Sequence, residues 1–181
     1  MNAAAVIRDA THADLGAIAA IFGHYVTQTV ATFEEIPPTA DDWEHRLAEL
    51  TGRGLPFLVA EVPGDDGLTV AGYAYAGPWR PKPAYRHTVE DSIYLAPGRT
   101  GAGLGAALLG TLLTRCATAG VRQVVAVIAD TGSDASVALH RRFGFTPAGR
   151  LAGVGHKHGR WIDTHLMQRD LTTASAAHGE P

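Results

Sequence analysis

The feature that most constrains this chain is a glycine-rich turn, which lies between an apolar strand and an apolar helix within residues 88–113. Four glycines fall close together in that stretch, at Gly98, Gly101, Gly103 and Gly105. Glycine lets the backbone come close to a ligand, and the free amides at the start of a helix can converge on an anion. The stretch therefore predicts a strand, turn and helix that bind a phosphate group.

The length and charge of the chain limit the ligands that it can bind. At 181 residues the chain has the size of one ordinary domain, and 46% of its residues are hydrophobic, which is enough for a buried core. Its formal net charge is −3, and lysines and arginines form no run, so we expect no binding to nucleic acid. A small molecule is the predicted ligand.

The single cysteine and the N-terminal residues predict where the protein works. Cys116 has no second cysteine to pair with inside the chain, which is typical of proteins from a reducing compartment. The first residues lack the pattern of a secretory signal, and no run of 18 apolar residues occurs. We therefore expect a cytoplasmic protein that does not enter a membrane.

Hydrophobic periodicity divides the chain into alternating strands and helices. Helical patterns begin after Thr11 and Thr39, which are candidate N-caps, and the continuous apolar run at 123–129 predicts a strand covered on both faces. The complete order is β-α-α-β-β-β-α-β-α-β-β, so the glycine turn follows the fourth strand. These patterns predict one α/β domain over residues 1–172, and residues 173–181 have no pattern and are expected to be disordered.

This order resembles the GNAT superfamily of acetyl-CoA-dependent N-acetyltransferases. The family motif is Gln/Arg-x-x-Gly-x-Gly/Ala, and the similar segment here is 100–105, with Thr100 in place of the usual Gln or Arg. A dinucleotide-binding fold fits less well, because its glycine turn follows the first strand. The resemblance implies a GNAT fold, in which a central mixed, mostly antiparallel, twisted sheet of about seven strands is flanked by about four helices. It also implies acetyl-CoA as the cosubstrate.

Several shorter motifs are similar to one group in that superfamily, the phosphinothricin and methionine sulfoximine N-acetyltransferases. They include Tyr-Ala-Gly-Pro-Trp at 75–79 and Gly-x-Lys-x-Gly-x-Trp at 155–161, and the similar blocks spread over about residues 6–171. The resemblance implies direct transfer of an acetyl group to the α-amine of a small amino acid analogue. It also implies a homodimer, with Trp161 near the interface.

The same resemblance implies two catalytic side chains. An amine must lose a proton before it attacks a thioester, and Glu90 matches the general base of the family, acting directly or through water. A strand-end carboxylate that faces solvent is the alternative for Glu90, and Asp91, on the opposite face, is the weaker candidate. His140 is expected to protonate the leaving thiolate or to hydrogen-bond the cofactor, or else to be a structural histidine of an amphipathic helix.

Binding roles also follow from the resemblance. The predicted contacts to acetyl-CoA are Ser92, Ile93, Tyr94, Thr100, Gly101, Ala102, Gly103, Leu104, Gly105, Ala106, Ser133 and Ser136. Ser133 replaces the asparagine that the family usually has. The predicted contacts to the amine substrate are Phe33, Tyr75, Arg80, Lys82 and Tyr85. Cations at Arg80 and Lys82 suit an anionic amino acid, although Phe33 could instead fill the core edge and the loop could be an ordinary solvated loop.

A metal site is the first alternative to this function. His156 and His158 have chelating spacing, but no third ligand lies at a suitable distance in the sequence, so we predict no metal. Two functional alternatives remain, namely a GNAT enzyme that acetylates another small amine and a non-catalytic acyl-CoA sensor. In a sensor, Thr100, Ser133 and His140 would mark lost activity, and a Glu90→Gln variant would have no turnover to lose.

Overall fold

The computed structural model describes residues 5–65 and 67–172. The predicted disordered tail, 173–181, lies outside the described residues. The described part contains seven strands and four helices, in the order that the sequence predicts. They are β1 (Val6–Asp9), α1 (Leu15–Gln28), α2 (Ala40–Gly52), β2 (Phe57–Gly64), β3 (Gly67–Pro78), β4 (Thr88–Leu95), α3 (Leu104–Thr118), β5 (Gln123–Ala129), α4 (Ala135–Arg142), β6 (Thr146–Lys157) and β7 (Arg160–Asp170).

Helix α2 begins at its predicted cap, Thr39, whereas Thr11 caps a 3-10 turn and α1 itself begins at Leu15. At α2, the Thr39 hydroxyl accepts a hydrogen bond from the Asp42 amide at 3.2 Å, and the Asp42 carboxylate accepts one from the Thr39 amide at 2.8 Å. This reciprocal pair satisfies amides that the first helical turn cannot bond internally. Before α1, a single 3-10 turn begins after Thr11, whose amide donates to the Asp14 carboxylate at 2.7 Å. In the described residues, no helix is long and apolar enough to cross a membrane.

The strands form one sheet in the order β1-β2-β3-β4-β5-β7-β6. Every neighbouring pair is antiparallel except β4 and β5, which are parallel, so the predicted mixed and mostly antiparallel sheet is confirmed. The parallel ladder is short. It runs from Thr88 opposite Gln123 to Glu90 opposite Val125, whereas β4 stays paired with β3 as far as Leu95. Beyond Glu90, β4 and β5 therefore separate and leave a gap in the sheet.

Two hydrophobic cores cover the two faces of the sheet. Helix α3 packs on one face with an apolar stripe that includes the buried thiol of Cys116, and α1 and α2 pack on the other around the fully buried Trp43. Side chains alternate along β4, so Ile93 belongs to the α3 face and Tyr94 to the α1 and α2 face. The same alternation places Glu90 and Asp91 on opposite faces of the sheet.

The last hairpin, β6 and β7, ends beside the loop that follows α1. Lys157, near the hairpin turn, is almost fully buried, and its ammonium donates a hydrogen bond to the Thr32 carbonyl at 2.7 Å. The ring of Phe33 lies so close to Gly155 that a Cβ at that position would overlap it. These contacts fix the loop and Phe33 against the hairpin.

Candidate active site

A cavity of about 590 Å³ lies in the gap where β4 and β5 separate. Its walls come from β4, the glycine turn, β5 and α4, and Tyr25 of α1 closes one side. Because the ladder between β4 and β5 ends at Glu90, the peptide groups of β4 that face β5 beyond this residue have no partner strand. The cavity therefore offers unpaired backbone donors and acceptors as well as side chains.

The glycine turn forms one end of this cavity. Gly98, Gly101 and Gly103 have φ angles of 78°, 81° and 79°, a left-handed conformation that favours glycine. The first helical hydrogen bond of α3 runs from the Ala107 amide to the Gly103 carbonyl at 3.0 Å, so the amides before Ala107 in the first turn have no partner within the helix. The turn thus has the amides and the backbone shape to bind an anionic group.

Arg142 adds a cation to the lining of the cavity. It is the last residue of α4, and its role was not predicted from the sequence. Thr100, at the position where the family motif carries Gln or Arg, also lines the cavity. The cavity therefore has a cation from α4, whereas position 100 supplies none. The basic end of that short helix was the signal that could have revealed it.

Glu90 lies at the other end of the gap, and its environment suits a base. Burial raises the pKa of its carboxyl, and the charge of Asp91 raises it further, whereas the positive charge of Arg80 opposes both effects. A carboxylate with a raised pKa accepts a proton more readily than an exposed glutamate does. The alternative of a strand-end carboxylate in open solvent is not supported, because Glu90 is half-buried and lines the cavity.

Asp91 and His140 form a buried ion pair on the other face of the sheet. The Nε2 atom of His140 lies 2.8 Å from Oδ2 of Asp91, and Nδ1 lies 2.7 Å from the Ser136 carbonyl oxygen. Burial lowers the pKa of His140, but the hydrogen bond and charge of Asp91 and the Ser136 carbonyl outweigh it, and the pKa is raised. The alternation of the strand predicted that Asp91 faces away from Glu90, but not that it has this partner.

Aromatic rings cover the Glu90 side of the gap. The rings of Tyr25 and Tyr94 lie 5.0 Å apart in an edge arrangement, and the Tyr25 hydroxyl donates to the Leu95 carbonyl at 2.8 Å. Burial is the largest cause of a raised pKa in both phenols, so both stay neutral. Tyr25 was missed because its spacing in α1 marks it simply as part of a buried helical face.

Most of the predicted cofactor and catalytic residues converge on this cavity. Those that line it are Glu90, Ser92, Ile93, Tyr94, Thr100, Gly101, Gly103, Gly105, Ala106, Ser133, Ser136 and His140. Ala102 and Leu104 do not line it, since Ala102 is exposed in the turn and the Leu104 side chain is buried in the core beneath α3. Residues 126–129 of β5 form a wall that was not predicted, because the sequence does not show where a strand ladder ends.

The predicted substrate residues lie outside the lining of this cavity, although two are near Glu90. The Tyr75 hydroxyl accepts a hydrogen bond from Arg46 at 3.1 Å, and Arg80 stacks on Trp79 with its guanidinium carbon 4.8 Å from the ring centre. Tyr75 lies on the same face as Glu90, and the Arg80 charge acts on that carboxyl. These two side chains can therefore contact a substrate that reaches Glu90.

The other three predicted substrate residues are exposed, as Arg80 is. Phe33 packs on the β6–β7 hairpin, and Lys82 and Tyr85 bracket a single 3-10 turn in the loop between β3 and β4. The substrate roles of these three residues remain predictions.

The two histidines with chelating spacing show no metal site. The ring of His156 lies 4.6 Å from that of Trp161, and in residues 5–65 and 67–172 no three metal-ligating side chains cluster.

Comparison with known families identifies the chain. Residues 7–166 match the acetyltransferase (GNAT) domain family. The chain belongs to the GNAT acetyltransferase family. Membership confirms the predicted fold and the predicted class of N-acetyltransferase, and the gap between β4 and β5 is where this GNAT domain has its cavity.

Two relatives show how much of this GNAT chain the similarity covers. A phosphinothricin N-acetyltransferase of Alcaligenes faecalis is 49% identical over 166 residues, which are 92% of this chain and 81% of the relative. An L-methionine sulfoximine/L-methionine sulfone acetyltransferase of Pseudomonas paraeruginosa is 40% identical over 173 residues, 96% of this chain and 98% of the relative. The predicted narrower resemblance is thereby confirmed.

A solved structure is similar over the same length. The GNAT phosphinothricin acetyltransferase of Sinorhizobium meliloti, crystallised in complex with acetyl-CoA, superposes with a TM-score of 0.87 and 45% identity, covering 97% of this chain and 93% of that chain. The prediction of acetyl-CoA as the cosubstrate agrees with this complex.

Proposed function

We propose that this protein transfers an acetyl group from acetyl-CoA to the α-amine of a small amino acid analogue such as phosphinothricin, methionine sulfoximine or methionine sulfone. The observation that carries the proposal is a single cavity with free amides of a glycine turn at one end and the half-buried Glu90 carboxylate at the other. Acetyl-CoA supplies the reactive thioester and a pyrophosphate that matches the turn. The residues of the chain bind and orient the two substrates and move the proton.

The cofactor half of the site is built from backbone. The amides around Gly101 to Gly105 receive the pyrophosphate, and Arg142 is a cation in the lining of the same cavity. The unpaired peptide groups of β4 beyond Glu90 can pair with the amides of the cofactor arm, much as another strand would. Because backbone supplies most of these contacts, Thr100 and Ser133 can replace the usual family residues without removing the site.

The catalytic half depends on Glu90. This carboxylate accepts a proton from the substrate ammonium, directly or through water, and the free amine then attacks the thioester carbon. A new C–N bond forms, the C–S bond breaks, and the thiolate leaves with the electron pair. The nitrogen releases its second proton as it becomes an amide, and the thiolate takes up one proton, which gives free CoA. In this proposal Arg80, whose charge acts on Glu90, and Tyr75 on the same face orient the substrate carboxylate, with Lys82 as a second cation.

The test is a measurement of CoA release with phosphinothricin, methionine sulfoximine and methionine sulfone. We expect turnover with at least one of them, and Glu90→Gln should reduce kcat by about 10²- to 10⁴-fold while CoA binding is retained. Glu61→Gln is the matched control, because Glu61 is a partly buried carboxylate that pairs with Arg8 away from the cavity. It should keep the wild-type kcat.

Three other results would change this proposal. Release with a different amine alone would favour the alternative of another GNAT substrate. Binding of acetyl-CoA without turnover on any amine would favour the acyl-CoA sensor. Full kcat in the Glu90→Gln variant would show that another group takes the proton.

We also propose that the enzyme is a cytoplasmic homodimer. Strand β6 lies at the edge of the sheet, and its first seven residues are exposed. Leu151 and Val154 on β6 are about half exposed, and Trp161 on β7 is 74% exposed. A long open edge with apolar side chains favours a partner, and a second copy is the partner that the family resemblance implies. The lone, buried thiol of Cys116 is compatible with a reducing cytoplasm.

A further inference from the structure

The buried pair of Asp91 and His140 has no place in the transfer chemistry described above. The exposed fractions of the two residues are 7% and 4%, and Phe145 packs its ring edge-on against the imidazole at 4.9 Å. The Phe145 amide also donates to the His140 carbonyl at 3.1 Å. Both residues line the cavity, so the buried pair forms part of its wall.

The contacts of the imidazole define its protonation state. One ring nitrogen faces the Asp91 carboxylate and the other faces the Ser136 carbonyl, and both of these groups accept hydrogen bonds. A neutral imidazole has only one N–H, so it can donate to only one of them. Both contacts are satisfied when His140 is an imidazolium beside an ionised Asp91. Its two N–H groups are then already committed, and neither is available to a leaving thiolate.

The position of the pair in the fold suggests its role. Asp91 is the first residue of β4 beyond the last ladder pair with β5, which is Glu90 opposite Val125. His140 lies on α4, the helix that follows β5. The contact between Asp91 and His140 therefore begins where the β4–β5 ladder ends. This side-chain bridge connects the two sides of the gap.

We propose that Asp91 and His140 are positioning residues, whose ion pair ties β4 to α4 and holds the β4–β5 gap at the width that receives the thioester arm of acetyl-CoA. This inference rests on the proposed function and assigns His140 a role other than that of the acid. The neighbouring Cys116 thiol does not compete for the Asp91 carboxylate, because burial and then the charge of Asp91 raise its pKa to about 12. Across the sheet, the pKa of Glu90 is raised first by burial and then by the charge of Asp91, but Glu90 is no partner of His140.

Two substitutions at one position separate the bridge from its charge. In Asp91→Asn, the new amide can donate to Nε2 of a neutral His140 while Nδ1–H still donates to the Ser136 carbonyl, so the bridge survives without its charge. In Asp91→Ala the bridge is lost. We expect Asp91→Ala to weaken CoA binding, measured by calorimetry, by about tenfold or more, and Asp91→Asn to stay within about threefold of the wild type.

Asp14→Ala is the control for a general loss of stability. Asp14 is an equally buried aspartate in an ion pair with Arg8 at 2.8 Å, and it does not line the cavity. This variant should lower the melting temperature but leave CoA binding unchanged. Unchanged CoA binding in Asp91→Ala would overturn the proposal, and so would equal weakening in Asp91→Asn and Asp91→Ala.

A measurement on the wild-type protein does not depend on how the variants fold. Nitrogen chemical shifts of the His140 ring should show both nitrogens protonated at pH 7.5, above the ordinary pKa of 6.5. A neutral ring at that pH would overturn the proposal. Neither CoA binding nor this spectrum requires turnover, so the proposed substrate can fail while the positioning role stands.

Discussion

At the scale of single residues, the site depends on two adjacent carboxylates in different environments. Glu90 faces the aromatic side of the sheet and is free to accept a proton, whereas Asp91 faces α3 and α4 and is tied to His140. Strand alternation predicted this division from sequence alone. The partner of Asp91 could not be predicted, because it lies 49 residues further along the chain and only the tertiary fold brings the two together.

The raised pKa of Glu90 leads to a prediction about pH. The base form of Glu90 increases as pH rises through its pKa, so the acid limb of the kcat profile should have its midpoint above 4.5, the ordinary value for glutamate. Arg80→Gln removes a charge that lowers this pKa and should therefore move the midpoint further upward. Lys82→Gln, in the same loop, is the control and should leave the midpoint in place. An acid limb that Arg80→Gln does not move would contradict the assignment of Glu90 as the titrating base.

At the scale of elements, the strand, glycine turn and helix form as the sequence predicts, but residues of other elements complete the cavity beside them. Glycine spacing predicted the turn, since the left-handed backbone at Gly101 and Gly103 is a local property. Arg142, a cation in the cavity lining, comes from α4, and another wall comes from β5. Local sequence patterns predict the strands and helices. The contacts that form this cavity could not be predicted in the same way, because they depend on where the ladder between β4 and β5 ends.

Gly103 and Gly120 allow a matched test of the turn. They flank opposite ends of α3 with φ angles of 79° and 80°, and a Cβ would meet open space at both. Alanine at either position should therefore destabilise the fold by a similar amount, about 1–2 kcal/mol, through backbone strain. Gly103→Ala should also weaken CoA binding by roughly fivefold or more, since it displaces the amides that receive the phosphate. Equal CoA affinities of the two variants, measured by calorimetry, would argue against an anion site at the turn.

At the scale of the whole molecule, hydrophobic periodicity predicted the order of all the described strands and helices, because each pattern depends on one buried face. It could not predict the sheet order, in which β7 lies between β5 and β6. This order leaves β6 at the edge and exposes one long side of the sheet. The predicted aromatic at the dimer interface, Trp161, lies on the neighbouring strand and is exposed. This exposed edge is the observation that supports the proposed homodimer.

The oligomeric state can be tested on the intact chain. Light scattering should give a mass of roughly twice the 19.0 kDa of one chain at micromolar concentration. Trp161→Glu should shift the mass toward the monomer, because burying an unpaired carboxylate at an interface is unfavourable. Leu68→Glu is the control, since Leu68 is an exposed apolar residue at the far end of β3, away from β6 and β7, and it should leave the mass unchanged. A wild-type monomer would contradict the dimer, and a dimer that survives Trp161→Glu would place the interface on another surface.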